Sequence, residues 1–182
     1  MIRTIGMLEF NSISQGIKVA DVMKKAADVS IILAQPNCPG KYTVLIYGDI
    51  SAVKSSIAAG KESSDPFLVD DMIISRIHED LISAINGTTE VEEVNAVGVL
   101  EYFSMPSAIR GADAAAKASQ VKLIQVRLGT GLGGKAYVTF TGDVSAVQQA
   151  LNAGAAVSQG TGMLYNKVFL SSPDKEVFKT LL

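Results

Sequence analysis

Apolar and polar positions along this chain follow two rhythms, one of strands and one of helices. The segment Arg3–Phe10 is dense in apolar residues and turns polar beyond its end, which predicts a first strand. Ile17, Ala20, Val22, Met23 and Ala27 recur near helical spacing and predict a helix over Ser14–Ala27. Apolar runs at Val29–Gln35 and Lys41–Tyr47, parted by a Pro/Gly-rich turn, predict the next two strands. Gly48-Asp49 then punctuates the chain, and Asp49 is a candidate cap for a helix over Ser51–Gly60. A short strand over Phe67–Ile74 and a short helix over Glu79–Ile85 complete the series. The polar stretch Gly87–Glu93 follows as a linker.

The series then starts again. Gly6-Met7-Leu8-Glu9-Phe10 returns as Gly98-Val99-Leu100-Glu101-Tyr102, 92 positions later. At the same offset Ala20-Asp21 matches Ala112-Asp113, and Lys25-Ala26 matches Lys117-Ala118. Over residues 5–33, 11 of 29 positions are identical, far above the coincidence expected of average composition. The offset then becomes 94, where Gly40-Lys41 matches Gly134-Lys135 and Gly48–Val53 matches Gly142–Val147. The two-residue insertion falls in a loop, where the surface absorbs it. The second copy therefore predicts strands at Ala96–Phe103, Val121–Leu128, Lys135–Thr141 and Gly162–Leu170. Its helices are Pro106–Ser119, Ser145–Gly154 and Asp174–Leu182, with Asp143 as the second candidate cap. Pro106 suits a first helical turn, where its missing N–H costs nothing. The order β-α-β-β-α-β, with a short terminal helix, is the split βαβ or ferredoxin-like arrangement. The expected fold class is α+β (α/β), as two tandem domains over residues 1–87 and 95–182.

Composition narrows the functions open to such a chain. The 16 basic and 18 acidic residues give a net charge of −2, which excludes the basic footprint of a nucleic-acid binder. The longest uncharged apolar stretches, such as Ile31–Ala34 and Val44–Tyr47, fall far short of the roughly 20 residues of a membrane span. An acid at Glu9 interrupts the N-terminus before a signal-peptide core is complete, so a cytoplasmic protein is expected. One Cys cannot form an intrachain disulfide, and one Cys with one His cannot build a zinc site within one chain.

Candidate chemistry lies mainly in the loops between the second and third strands of each copy. Gly129-Thr130-Gly131-Leu132-Gly133-Gly134 fits G-x-G-x-x-G, and with Lys135 it fits most of a phosphate-binding loop. Both motifs need a helix next, because phosphate sits on helix N-terminal amides, and Ala136–Thr141 reads as a strand instead. Position 136 is Ala where Ser or Thr would bind magnesium, and no acid stands about 20 residues on for a ribose. The loop is therefore read as a glycine loop that lets backbones approach closely. Its counterpart, Gln35-Pro36-Asn37-Cys38-Pro39-Gly40-Lys41, holds the only Cys in a Pro-flanked turn. A lone Cys is most often a small buried hydrophobe, but a loop tip is not a core address. One thiolate cannot hold an iron–sulfur cluster, which normally needs four, but a threefold axis would gather three copies of Cys38. His78 opens a short helix and is read as structural, and no catalytic constellation is present. Glu9 and Glu101 recur at matching strand positions, which implies a shared structural task.

The ordered set of motifs resembles the bacterial microcompartment (BMC) shell domain. The matching blocks are Gly6–Glu9, Gly16–Ala26, Gly40-Lys41-Tyr42 and Gly48–Val53, and again Gly98–Glu101, Ala112–Ala118 and Gly134–Val147. Two such domains in one chain imply the tandem-domain class, which assembles as trimers mimicking a hexamer around a central pore. Within that class the chain is similar to the PduT-like, propanediol-utilisation type, through Cys38-Pro39-Gly40-Lys41. The resemblance implies a structural shell protein, not an enzyme, in a cytoplasmic microcompartment, with other shell proteins and encapsulated redox enzymes as partners. It implies a pore lined by Pro36, Asn37, Cys38 and Pro39 and by Gly129, Thr130, Gly131, Leu132 and Gly133. Cys38 of three subunits would share a [4Fe–4S] cluster for electron transfer across the shell. The second loop, Gly129–Gly134, carries no Cys, so the fourth iron would lack a protein cysteine from this chain. Lys25 and Lys117 map onto the family's edge lysine, which joins tile to tile. The family's Pro-rich segment near the last strand is reduced to Arg76-Ile77-His78 and Ser171-Ser172-Pro173, which weakens any edge contact there. The alternatives are a tile with a metal-free pore for small molecules, and a ferredoxin-like regulatory module that binds a metabolite.

Overall fold

The apolar rhythm resolves into two four-stranded sheets, each with its helices packed on the sheet. The structure is a computed structural model and describes residues 4–91 and 93–179. Arg3 of the expected first strand, Glu92 of the linker and residues 180–182 of the expected last helix lie outside the described residues. The chain divides into two compact units.

The first unit runs to Ile77 and also takes in Ser104–Pro106 and Gly129–Gly134. Its elements are β1 (Thr4–Phe10), α1 (Ile13–Ala26), β2 (Ser30–Asn37), β3 (Lys41–Gly48), α2 (Ile50–Glu62) and β4 (Leu68–Ser75). The sheet order is β2-β3-β1-β4, and every neighbouring pair is antiparallel. This is the split βαβ arrangement, with β3 between the two strands joined through α1. Leu8 and Phe10 of β1, Val44 and Ile46 of β3, Val19 and Met23 of α1, and Val53 and Ile57 of α2 form the core. Gly6 is where α2 crosses β1, since a Cβ there would stand 2.8 Å from Val53 and 2.7 Å from Ile57.

The second unit contains α3 (Asp80–Asn86), β5 (Ala96–Tyr102), α4 (Met105–Ala118), β6 (Val121–Leu128), β7 (Ala136–Gly142), α5 (Val144–Ala156), β8 (Leu164–Leu170) and α6 (Lys175–Lys179). The first three residues of α4 are the segment assigned to the first unit. The sheet repeats the topology as β6-β7-β5-β8. Its core is built on Leu100, Tyr102, Val138, Phe140, Val147 and Leu151, all buried. Ala115 and Ala116 of α4 are buried as well, which accords with tight packing by small residues.

Two details depart from the sequence reading. Asp49 and Asp143 do occupy the N-cap positions of α2 and α5, but neither side chain makes a cap hydrogen bond. Their backbone carbonyls accept from Val53 and Val147 instead, each at 2.9 Å. Exposed carboxylates remain solvated at little cost, so nothing compels them to turn onto the helix. The true side-chain cap is Ser12, whose hydroxyl accepts from the Gln15 amide of α1. Second, α3 belongs to the first repeat by sequence but packs on β6 of the second unit. Leu81 and Ala84 point its apolar side into that contact and are fully buried.

Candidate functional site

Cys38 sits at the tip of the turn joining β2 to β3, and it is exposed. The Gly40 amide donates to the Asn37 carbonyl at 3.0 Å and closes the turn. Gly40 has φ +84°, a left-handed conformation that glycine adopts without a Cβ penalty. Asn37 anchors the turn from below. Its side chain is buried, and Nδ2 donates to Thr43 Oγ1 at 2.6 Å and to the Gln35 carbonyl at 3.2 Å. Pro36, Cys38, Pro39 and Gly40 remain exposed. The thiol is thus presented to solvent on a backbone tied down at Asn37.

Lys41 follows the turn and reaches across the sheet to Glu9 on β1, Nζ to Oε1 2.7 Å. It also donates to the Gly134 carbonyl at 3.2 Å. Glu9 is fully buried, and its other oxygen accepts from the Met105 amide at 2.8 Å. Burial pushes the Glu9 carboxyl above its ordinary 4.5, while the Lys41 ammonium and the Met105 N–H oppose the shift.

The glycine loop lies directly against the cysteine turn, within the first unit. A Cβ on Gly129 would stand 3.1 Å from Asn37 Cβ, and one on Gly134 would stand 2.8 Å from Pro39 Cδ. Gly129, Gly131, Gly133 and Gly134 all have left-handed φ between 60° and 84°. Thr130, Gly131 and Gly133 are exposed and Leu132 is half-buried. The loop runs into β7 and not into a helix, so the phosphate-type motif lacks the amides it would need. The two loops thus approach each other at Gly129 with Asn37 and at Gly134 with Pro39.

The glutamate task proposed from the repeat takes a definite form. Glu101 pairs with Lys135 as Glu9 pairs with Lys41, so each strand glutamate holds the lysine that follows its loop. Both residues recur at matching positions, which was the signal available in the sequence. What the sequence did not reveal is the difference in burial: Glu101 is half-buried, and Lys135 also stacks over the Tyr165 ring at 4.2 Å. The hydrogen bond that Lys135 donates to the Glu101 carboxylate raises the lysine above its ordinary 10.5. Lys25 and Lys117 stand in the last turns of α1 and α4, each paired with the Asp one turn earlier, Asp21 or Asp113. His78 is structural: its Nδ1 accepts from the Asp80 amide at 3.2 Å, and its own amide donates to Asp113 Oδ1 at 2.8 Å.

Among the described residues, no group of three His, Cys, Asp or Glu side chains is arranged to hold a metal ion within one chain. No helix among them is long and apolar enough to cross a membrane.

The duplicated four-stranded domain, with a pinned loop after its second strand, defines a repeat-built module. The family model for the BMC domain matches the chain twice, at residues 4–77 and 96–173, and the chain belongs to that family. It is 34% identical to the bacterial microcompartment shell protein PduT of Citrobacter freundii over 182 residues, which is 100% of this chain and 99% of that one. It is 27% identical to the carboxysome assembly protein CcmO of Synechococcus elongatus, over 97% of this chain and 68% of that protein. Among solved structures it is similar to a microcompartment protein from Desulfitobacterium hafniense, with TM-score 0.87 and 44% identity, covering 98% of this chain and 99% of that one. The chain is accordingly a structural shell protein of a bacterial microcompartment, of a family that builds walls and is not known for catalysis.

Proposed function

We propose that three copies of this chain close into a homotrimer, a ring of six similar domains that tiles the shell beside other shell proteins. The supporting observation is a difference between the two repeats. Ile13 and Ile17 on α1 are 40% and 56% exposed, whereas their counterparts Met105 and Ile109 on α4 are fully buried. One repeat is thus covered where the other lies open. A second copy seated on the open face would cover it, and fully burying an isoleucine contributes about 1.5–3 kcal/mol. Closed cyclic rings are the ordinary outcome of such head-to-tail contacts.

In that ring the turns Pro36–Pro39 and the glycine loops Gly129–Gly133 alternate around the pore. The donor set suits a shared [4Fe–4S] cluster: one exposed soft thiolate per chain, Cys38, held on a pinned turn and repeated by threefold symmetry. When bound, the cluster would supply one-electron transfer across the shell, serving redox enzymes inside. Lys25, exposed on α1, and Lys117 are the proposed tile-edge contacts.

Anaerobic reconstitution of the wild type and Cys38→Ser tests the cluster. Iron and sulfide with visible absorption are expected in the wild type only. Equal iron in both removes Cys38 from the account and leaves a metal-free pore.

A further inference from the structure

The glycine loop is seated at its two ends and open between them, all within the first unit. At one end Gly129 packs against Asn37, where a Cβ would stand 3.1 Å from Asn37 Cβ, and against the Met105 side chain. At the other end Gly134 is enclosed by the cysteine turn. A Cβ there would stand 2.8 Å from Pro39 Cδ, 3.4 Å from the Cys38 carbonyl oxygen and 3.6 Å from Lys41 Cε. A Cβ on Gly131 or Gly133, between the seats, would meet nothing within 4 Å.

The two oxygens of Glu9 serve the two seats separately. Oε1 accepts from Lys41 Nζ at 2.7 Å, and the same Nζ donates to the Gly134 carbonyl at 3.2 Å. Oε2 accepts from the Met105 amide at 2.8 Å, and the Met105 side chain is the one against Gly129. Glu9 is fully buried and Lys41 is only 17% exposed, so these bonds form away from bulk water. There a charge-assisted bond is strong and a lost partner is costly. A carboxylate can accept at both oxygens, whereas an amide of the same shape can accept at one only. Glu101, the counterpart in the second repeat, is half-buried and its Lys135 lies over Tyr165. The enclosed form therefore occurs in the repeat that carries the cysteine.

We infer that Glu9 is a positioning residue for the cysteine site. Through Lys41 and Met105 it clasps both ends of the glycine loop to the cysteine turn, and so fixes where the Cys38 thiol is presented. Three thiols that share one cluster must each arrive at a set position, and a supporting layer behind the ligand supplies that precision. The inference rests on the reading of Cys38 as a cluster ligand, but its first test needs no metal.

Cys38 is the only cysteine, so a nitroxide attached to it reports on the turn alone. The full chain, with only a small fraction of chains labelled so that the labels stay apart, is expected to give a restrained electron paramagnetic resonance line shape. Lys41→Met keeps the stem and removes the donor, and Glu9→Gln removes one acceptor. In each the label is expected to move severalfold faster, with the circular dichroism of the wild type retained. Lys41→Arg can donate to both Glu9 and the Gly134 carbonyl and is expected to restore the restrained shape. A folded Lys41→Met chain that keeps the wild-type line shape overturns the inference, and so does a Lys41→Arg chain as mobile as Lys41→Met. If Glu9→Gln does not fold, the Lys41 pair decides. Iron bound after anaerobic reconstitution is expected to fall severalfold in Lys41→Met and to recover in Lys41→Arg. A wild type that takes up no iron removes the cluster reading, while the line shapes still decide the clasp.

Discussion

Glu9 ties β1 to the start of β3 and to the Met105 amide, and its chemistry gives a pH signature. It is buried, it holds Lys41 and it takes the Met105 amide. Its folded value lies above the ordinary 4.5, so the folded chain holds the proton more tightly than the unfolded chain. The sign follows from linkage: the contribution to stability is fully present below pH 4.5 and is lost as pH rises through the raised folded value. Glu9→Gln removes that titration. Denaturant unfolding from about pH 4 to pH 7 is expected to show stability falling less steeply with pH in the variant than in the wild type. Equal slopes would contradict the burial argument. At this scale the sequence was legible where it repeated. Glu9 and Glu101 announced a common task, but nothing in the chain told which of them would be enclosed, because enclosure depends on what comes to lie above the sheet.

Elements were the most legible part, since each strand and helix is governed by its own period. The positions of β1 to β8 follow the apolar runs, and the extra residues of the second repeat fall in the loop between β6 and β7, as the change of offset implied. The Asp caps misled because a residue type favoured at a position need not make the bond that explains the preference. The destination of α3 was not legible either. Leu81 and Ala84 say that the helix must bury one side, and the two sheets are too alike for sequence to choose between them. Glycines separate two kinds of constraint within these elements. A Cβ on Gly98 of β5 would stand 2.4 Å from the buried Phe140 ring, whereas one on Gly131 of the loop would meet nothing within 4 Å. Gly98→Ala is expected to lose about 2–3 kcal/mol through overpacking. Gly131→Ala is expected to lose about 1 kcal/mol through its left-handed φ alone. Denaturation midpoints in the reverse order would show that the sheet yields more readily than the loop.

At the scale of the whole molecule the two repeats differ in what they expose. Ile13, Ile17 and Ile31 of the first repeat are exposed, whereas their counterparts Met105, Ile109 and Leu123 are fully buried. Ile17→Lys places a charge on that open face. Because the residue is solvent-exposed in the single chain, stability is expected to change by less than about 0.5 kcal/mol, while assembly is lost. A variant that unfolds, or one that still assembles as the wild type does, would contradict that division. The pairing of the two loops was legible in outline, from a Cys turn and a glycine loop at matching places. Their direct contact through Pro39 and Gly134 was not, because it depends on three-dimensional approach.

The most direct test is the mass of the native protein in solution, by light scattering at micromolar concentration. Three times the 19.1 kDa of one chain is the predicted result. A particle that keeps the mass of a single chain on concentration would leave the open face of the first repeat without its partner and would contradict the account.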